Sequence, residues 1–305
     1  MICIVALVVL SILGIFSAAN RDLAREAFDC VFKRITFRAC DTGFDEKMRI
    51  KILAKISKFS PFFAKKINKN FEVFSWILFV LMISSAAWTG YGLYNFYMYG
   101  SCNGLNETGI CVFDPADSHN QISSVDLSCS ESETQEKDLK IEEVNLNLFP
   151  SKRTASINEI VFIGCFECEY SRKVYPEIEK LVEKYNTNFT FIHLPAVGNT
   201  EYLSNYIDCV EEENPEKLWE FNNILFSSNK EILEKSDEIE KIIEGLNLNK
   251  EAVKTCVEDE ETIKKVQEEL AEIQKANIYG TPTIFINGKV FVGPKPYRVY
   301  QRALK

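Results

Sequence analysis

The chain has 305 residues, 35 Lys and Arg against 44 Asp and Glu for a net charge of −9, and ten cysteines beside only two histidines. That length allows one sizeable domain with appendages. The acidic balance would repel phosphate backbones and excludes nucleic acid as a partner, while His119 and His193 offer few nitrogen ligands for a zinc site.

The chain opens on a nearly unbroken apolar run, 2–19, and a second follows at 74–94, trailed by Tyr91, Tyr94, Tyr97 and Tyr99. A membrane span needs about 20 apolar residues, so both runs are predicted transmembrane helices, and the tyrosines suit an interfacial belt. A cleaved signal peptide is the rival for the first run. No basic residues open it, however, and Phe16-Ser17-Ala18-Ala19 is a poor cleavage site, so an uncleaved anchor is expected.

Between the two runs, residues 20–73 carry thirteen Lys or Arg against seven Asp or Glu, a net of +6, which leaves −15 for the rest of the chain. The positive-inside rule makes this loop cytoplasmic and the acidic C-terminal part extracytoplasmic, in a two-pass protein of the cell membrane. The basic stretch from Lys47 to Lys69 holds Met48, Ile52, Leu53, Ile56, Phe59, Phe63 and Ile67. It suits an anionic membrane surface or, equally, a helical hairpin packed on itself. Cys30 and Cys40 are two ligands at most and are expected as buried reduced thiols.

Beyond the second run, Cys102 and Cys111 lie nine apart in a Gly/Asn-rich exit loop that a local disulfide would staple. Residues 115 to about 143 are polar and charged, a predicted tether holding the single Cys129. Asn106-Glu107-Thr108 and Asn188-Phe189-Thr190 are glycosylation triplets consistent with an outer location. The chain thus divides into a membrane anchor (1–100), an exit loop and acidic linker (101–150) and a folded domain (151–305).

In that domain a short β-branched and aromatic run ends in Cys165-Phe166-Glu167-Cys168, and Val174, Ile178, Leu181 and Val182 follow at helical spacing. This reads as strand, turn and helix. Half of a metal site or chance would also give C-x-x-C. A thiol at a helix N-terminus, though, faces unpaired N–H groups and the positive end of the dipole, which favour the reactive thiolate. More than a hundred residues later, Gly280-Thr281-Pro282-Thr283 precedes two strand-like runs, 283–286 and 290–292, around Asn287-Gly288, the signal of a hairpin with a proline just before it. Helical patterns fill the space between: Tyr202, Leu203, Tyr206, Cys209 and Val210 share one face, and Ile263, Val266, Leu270 and Ile273 another.

With both motifs in this order, residues 156–303 resemble the DsbA-like branch of the thioredoxin superfamily. The resemblance implies an α/β thioredoxin fold with an inserted helical subdomain, preceded here by the two transmembrane helices. It implies a cis Thr281-Pro282 bond beside the active thiols, Pro282 shaping the groove and the backbone of Thr281 pairing with a bound polypeptide. It also implies a structural disulfide joining Cys209 and Cys256, as in some relatives. Register departs from the family pattern. Counting back five from Pro176 places Ser171 where the family has its second cysteine, makes Cys168 the attacking thiol and puts Cys165 at an upstream acidic position. Two chemistries follow: a Cys165–Cys168 dithiol, or Cys168 acting alone with Ser171 able only to hydrogen-bond its sulfur, Cys165 then being a small buried hydrophobe.

The expected function is a membrane-tethered extracytoplasmic thiol-disulfide oxidoreductase acting on protein thiols and disulfides, with a membrane redox partner and neither cofactor nor metal. A thioredoxin-fold binding or chaperone module without turnover is the other class, suggested by Ser171. Glu167 and Glu169 flank Cys168, and carboxylates there disfavour thiolate, so a weak oxidant is expected.

Overall fold

A computed structural model describes residues 2–14, 17–36, 38, 43–124 and 139–305; Cys40 and Cys129 lie outside the described residues. The chain forms two compact units, Met1–Tyr91 and Gly92–Lys305. The first holds helices α1 (Ile2–Gly14), α2 (Ala18–Ile35), α3 (Phe44–Phe59), α4 (Pro61–Lys69) and most of α5 (Phe71–Tyr99).

The first apolar run does not form the span that its composition predicts. Its helix, α1, has 13 residues, about 20 Å at 1.5 Å per residue against about 30 Å of hydrocarbon. Ala6 and Leu10 are buried with Ala27, Cys30 and Phe44 of α2 and α3, so one side of α1 is spent on packing within the unit. Among the described residues, one helix is long and apolar enough to cross a membrane: α5, with a mean hydropathy of 1.7 over its most apolar window. Its large side chains, Trp76, Val80, Leu81, Ile83 and Trp88 among them, stand exposed, as a lipid-facing helix requires.

The basic stretch after α2 is a helical hairpin. Pro61 opens α4, where a missing N–H costs nothing. Arg49 closes the pair, donating to the Asn68 side chain at 2.8 Å and its carbonyl at 3.0 Å, and lies over the Phe71 ring. Cys30 is buried but disulfide-bonded, not the reduced thiol expected.

The second unit contains β1 (Ser123–Ser124), β2 (Ser151–Lys152), β3 (Glu159–Gly164), α6 (Glu169–Tyr185), β4 (Asn188–His193), α7 (Leu203–Glu213), α8 (Pro215–Ser227), α9 (Lys230–Leu233), α10 (Ser236–Gly245), α11 (Lys250–Val257), α12 (Glu260–Ile273), β5 (Gly280–Thr281), β6 (Thr283–Ile286), β7 (Lys289–Val292) and α13 (Tyr297–Ala303). Five strands form a sheet in the order β2-β4-β3-β6-β7. Central β3 is parallel to β4 and antiparallel to β6. This is the thioredoxin-like arrangement, with α7 to α12 as the helical insert.

Both faces of the sheet are covered, so β3 is buried almost end to end. Ile160 and Phe162 enter a large core with Phe191, Tyr175 and Phe226, where the Tyr175 and Phe226 rings stack at 4.1 Å. Val161 and Ile163 point the other way, into a smaller core closed by Ile141, Val144, Phe149, Ile273 and Ile278. Ile141, Val144 and Phe149 belong to the end of the linker and the approach to β2. The predicted tether is therefore ordered at both of its described ends, because a few apolar residues suffice to plug an open sheet face.

Cys102 is bonded to Cys111, and Cys209 on α7 to Cys256 on α11. The asparagines of both glycosylation triplets are hydrogen-bonded. Asn106 donates to the Val290 carbonyl and accepts from Val292 N–H, so its amide caps the edge of β7. Asn188 likewise accepts from Thr154 N–H and donates to the Ser156 carbonyl.

Candidate active site

Strand β3 ends at Gly164, Cys165 to Glu167 turn, and Cys168 is the N-cap of α6. The turn is closed by Cys168 N–H donating to the Cys165 carbonyl at 3.1 Å. Opposite lies the Thr281-Pro282 bond, which is cis. The two ends of the domain meet here because β6, which follows Pro282, pairs with β3 in the register Ile163 to Thr283.

The Cys168 sulfur has three close partners. Its S–H faces the Thr281 carbonyl at 3.3 Å, the Ser171 N–H donates to it at 3.4 Å, and the Ser123 hydroxyl donates to it at 3.1 Å. Burial alone would push the thiol up. Hydrogen bonds from Ser123, Ser171 and the Thr281 side chain outweigh it, and the thiol lies below its ordinary value. A carbonyl acceptor favours the neutral thiol and the two donors favour the thiolate, so the donors decide the balance.

Cys165 is also buried and unbonded, but its surroundings differ. Its S–H faces the Val197 carbonyl at 3.5 Å and its N–H donates to the Ser171 hydroxyl at 3.3 Å. The two sulfurs therefore engage different partners, Val197 for one and Thr281 with Ser123 for the other. Ser171 touches both cysteines: its hydroxyl holds the Cys165 backbone and its N–H the Cys168 sulfur.

The flanking carboxylates do not act as expected. Glu169 is exposed, whereas Glu167 is buried and folds onto Gly198, where any side chain would collide with its carboxylate. Desolvation raises Glu167, Glu234 adds repulsion, and Lys230 and Arg172 partly offset both. Neither carboxylate is among the causes acting on Cys168, whose thiol is lowered, the direction expected of a helix start. Arg172 holds the turn from behind, donating to the carbonyls of Phe166, Leu225 and Ser228. His193, its ring tilted against Phe166 at 4.7 Å and bonded to Ser204, is pushed down to about 3 by burial and stays neutral. Among the described residues no cluster of three or more His, Cys, Asp or Glu is placed to hold a metal ion.

Ser123 was not foreseen. It lies in a polar stretch with no periodicity, and its position beside Cys168 depends on a pairing with Thr281 that no local signal encodes.

The model of a thioredoxin family matches residues 154–305. Disulfide bond formation protein D of Bacillus subtilis is 25% identical over 146 residues, 43% of this chain and 64% of that protein. The Na(+)/H(+) antiporter NhaA 3 of Salinispora tropica is 22% identical over 137 residues, 44% of this chain but 21% of its own length. The chain thus spans less than two thirds of either relative. Among solved structures, the thiol-disulfide exchange protein alpha-DsbA2 from Wolbachia pipientis superposes with a TM-score of 0.47 at 17% identity, covering 51% of this chain and 85% of that one. Oxidised BdbD from Bacillus subtilis gives a TM-score of 0.44 at 20% identity, covering 52% and 90%.

Proposed function

We propose that the chain, whose residues 154–305 match the model of a thioredoxin family, is a DsbA-like, membrane-tethered thiol-disulfide oxidoreductase whose attacking sulfur is Cys168. The observation that carries this reading is the Cys168 sulfur at the start of α6, lowered by hydrogen bonds and lying against the carbonyl that precedes a cis proline.

In the reducing direction the Cys168 thiolate bonds to one sulfur of a substrate disulfide, and the other sulfur leaves as a thiolate. Attack by the Cys165 sulfur on Cys168 then breaks the mixed disulfide. The substrate departs as a dithiol, two electrons have passed to it, and Cys165–Cys168 is left as a disulfide. The reverse sequence oxidises a substrate dithiol. Ser171 would hold the Cys165 backbone through the cycle, and Pro282 and Thr281 would form the wall and the hydrogen-bonding edge of the groove. The separate partners of the two sulfurs favour a second reading, in which Cys168 works alone and an external thiol resolves the mixed disulfide.

The tether is α5, with the basic residues 20–73 on the cytoplasmic side and the acidic second unit outside. Support comes from the charge asymmetry; disulfide-bonded cysteines occur in both units, Cys30 among them, and so do not choose the side. The full chain in detergent should exchange disulfides with insulin or oxidised glutathione, and Cys168→Ser should abolish this. Unchanged turnover in Cys168→Ser would overturn the assignment, and no turnover in the parent would leave a binding module.

A further inference from the structure

Residues 119–124 lie along the groove beside Cys168, held by contacts of several kinds. Ser123 and Ser124 pair antiparallel with Thr281 and Gly280, so the edge before the cis proline is occupied. Ser123 donates its hydroxyl to the Cys168 sulfur at 3.1 Å. Gly280 admits the segment at close range: a Cβ there would stand 2.5 Å from the end of the Ile122 side chain. Gly293, at φ +76°, does the same further back, where a Cβ would stand 2.9 Å from the Asn120 carbonyl carbon and the Gln121 oxygen. The Lys295 ammonium then anchors the start of the segment, donating to the His119 carbonyl at 2.8 Å and to the Asn120 side chain.

A polypeptide that added a strand to Gly280–Thr281 would use the same backbone groups, since strand addition takes its affinity from main-chain hydrogen bonds. A serine hydroxyl has nearly the shape of a thiol but cannot form a sulfur–sulfur bond. We propose that residues 119–124 are a built-in pseudosubstrate, with Ser123 standing where the reacting cysteine of a polypeptide substrate stands, and that this segment leaves the edge when substrate takes its place. The inference rests on the thiol-exchange reading above and gives the substrate a form. It is an extended segment running antiparallel to Gly280–Thr281, its cysteine in the Ser123 register. The cover is short, a two-residue strand, so a longer substrate strand can outcompete it.

Two variants of the full chain test this without requiring turnover. Ser123→Cys, treated with oxidised glutathione, should join residues 123 and 168, the two thiols giving up two electrons and two protons as glutathione is reduced. Peptide mapping without reductant reads the link. Ile122→Asp should loosen the segment, with Ile122→Ala as its substitute where the folded far-UV spectrum is lost. Iodoacetamide should then modify Cys168 about tenfold faster than in the parent, as for a tenfold rise in the open population. The rates are compared on the high-pH plateau, where loss of the Ser123 donor does not change the thiolate fraction. Absence of the link, or coincident alkylation rates, overturns the pseudosubstrate. If the link and the faster alkylation are both found but no variant exchanges disulfides, the cover stands and the oxidoreductase reading fails instead.

Discussion

Cys168 is a sulfur between one acceptor and two donors, and removing a donor has a signed consequence. Its folded-state value is depressed, so thiolate should persist to lower pH than in a free cysteine, whose value is about 8.5. Ser123→Ala deletes the shortest of these bonds, and the midpoint of the alkylation profile at Cys168 should move up. An unmoved midpoint would mean that Ser171 and the Thr281 side chain hold the thiolate without Ser123. The same depression makes the thiolate a source of stability, present above the ordinary thiol value and lost as pH falls through the depressed one. Cys165→Ser separates the two exchange schemes: a resolving Cys165 predicts that the mixed disulfide with substrate accumulates, and turnover at the parent rate would assign resolution to an external thiol. Several of these residues could be read from the sequence. A thiol directly before a helical pattern marks Cys168, and the hairpin signal at Asn287-Gly288 places Thr281-Pro282 before a strand. Ser123 could not be read, because pairing across the whole domain leaves no local trace. The burial of Glu167 was equally hidden, since it depends on the space left above Gly198.

At the scale of elements, the insert is held by a covalent tie and by a buried charge cluster. Cys209 and Cys256 join α7 to α11 across 47 residues. A loop of that size corresponds to about 4 kcal/mol of stabilisation in the chain-entropy model. Cys209→Ser should therefore lower the denaturation midpoint in oxidising buffer and change nothing in excess reductant. Nearby, Lys265 of α12 reaches Asp208 of α7 at 2.9 Å and Glu269 at 3.7 Å. Desolvation first, then repulsion from Asp208, pushes Glu269 up to about 8. A carboxyl raised on folding contributes fully below its unfolded value and loses that contribution as pH rises through the folded one. Stability should thus decline from about pH 4.5 toward pH 9, and Glu269→Gln should flatten the decline, gaining on the order of 1–3 kcal/mol at the alkaline end. A pH profile shared by the variant and the parent would show that Lys265 neutralises the site. Strand and helix types in this half follow from local pattern, a short β-branched and aromatic run in β3 and a period of 3.6 in α6. At the other end of the chain periodicity misleads, because an apolar run reads alike whether lipid or other helices cover it. In α1 the partners are α2 and α3.

Over the whole molecule, the apolar helix and the catalytic unit share a boundary. The last turns of α5 belong to the second unit, where Arg298 donates to the Phe96 and Tyr97 carbonyls and Arg302 to Tyr97, its guanidinium 4.2 Å from the Tyr97 ring. Cations at a helix C-terminus complement the dipole and its unpaired carbonyls. α13 thus caps the end of the helix proposed to cross the membrane. The proposed topology rests on charge and is tested by cysteine labelling of intact cells, which should reach a probe cysteine placed in the second unit and miss one placed in 20–73. The proposed reaction rests on one sulfur, that of Cys168. The most direct measurement is to treat the reduced full chain with limiting oxidised glutathione, quench with acid and map where glutathione is first attached. The account predicts attachment at Cys168; first attachment at Cys165, with Cys168 unmodified, would contradict it.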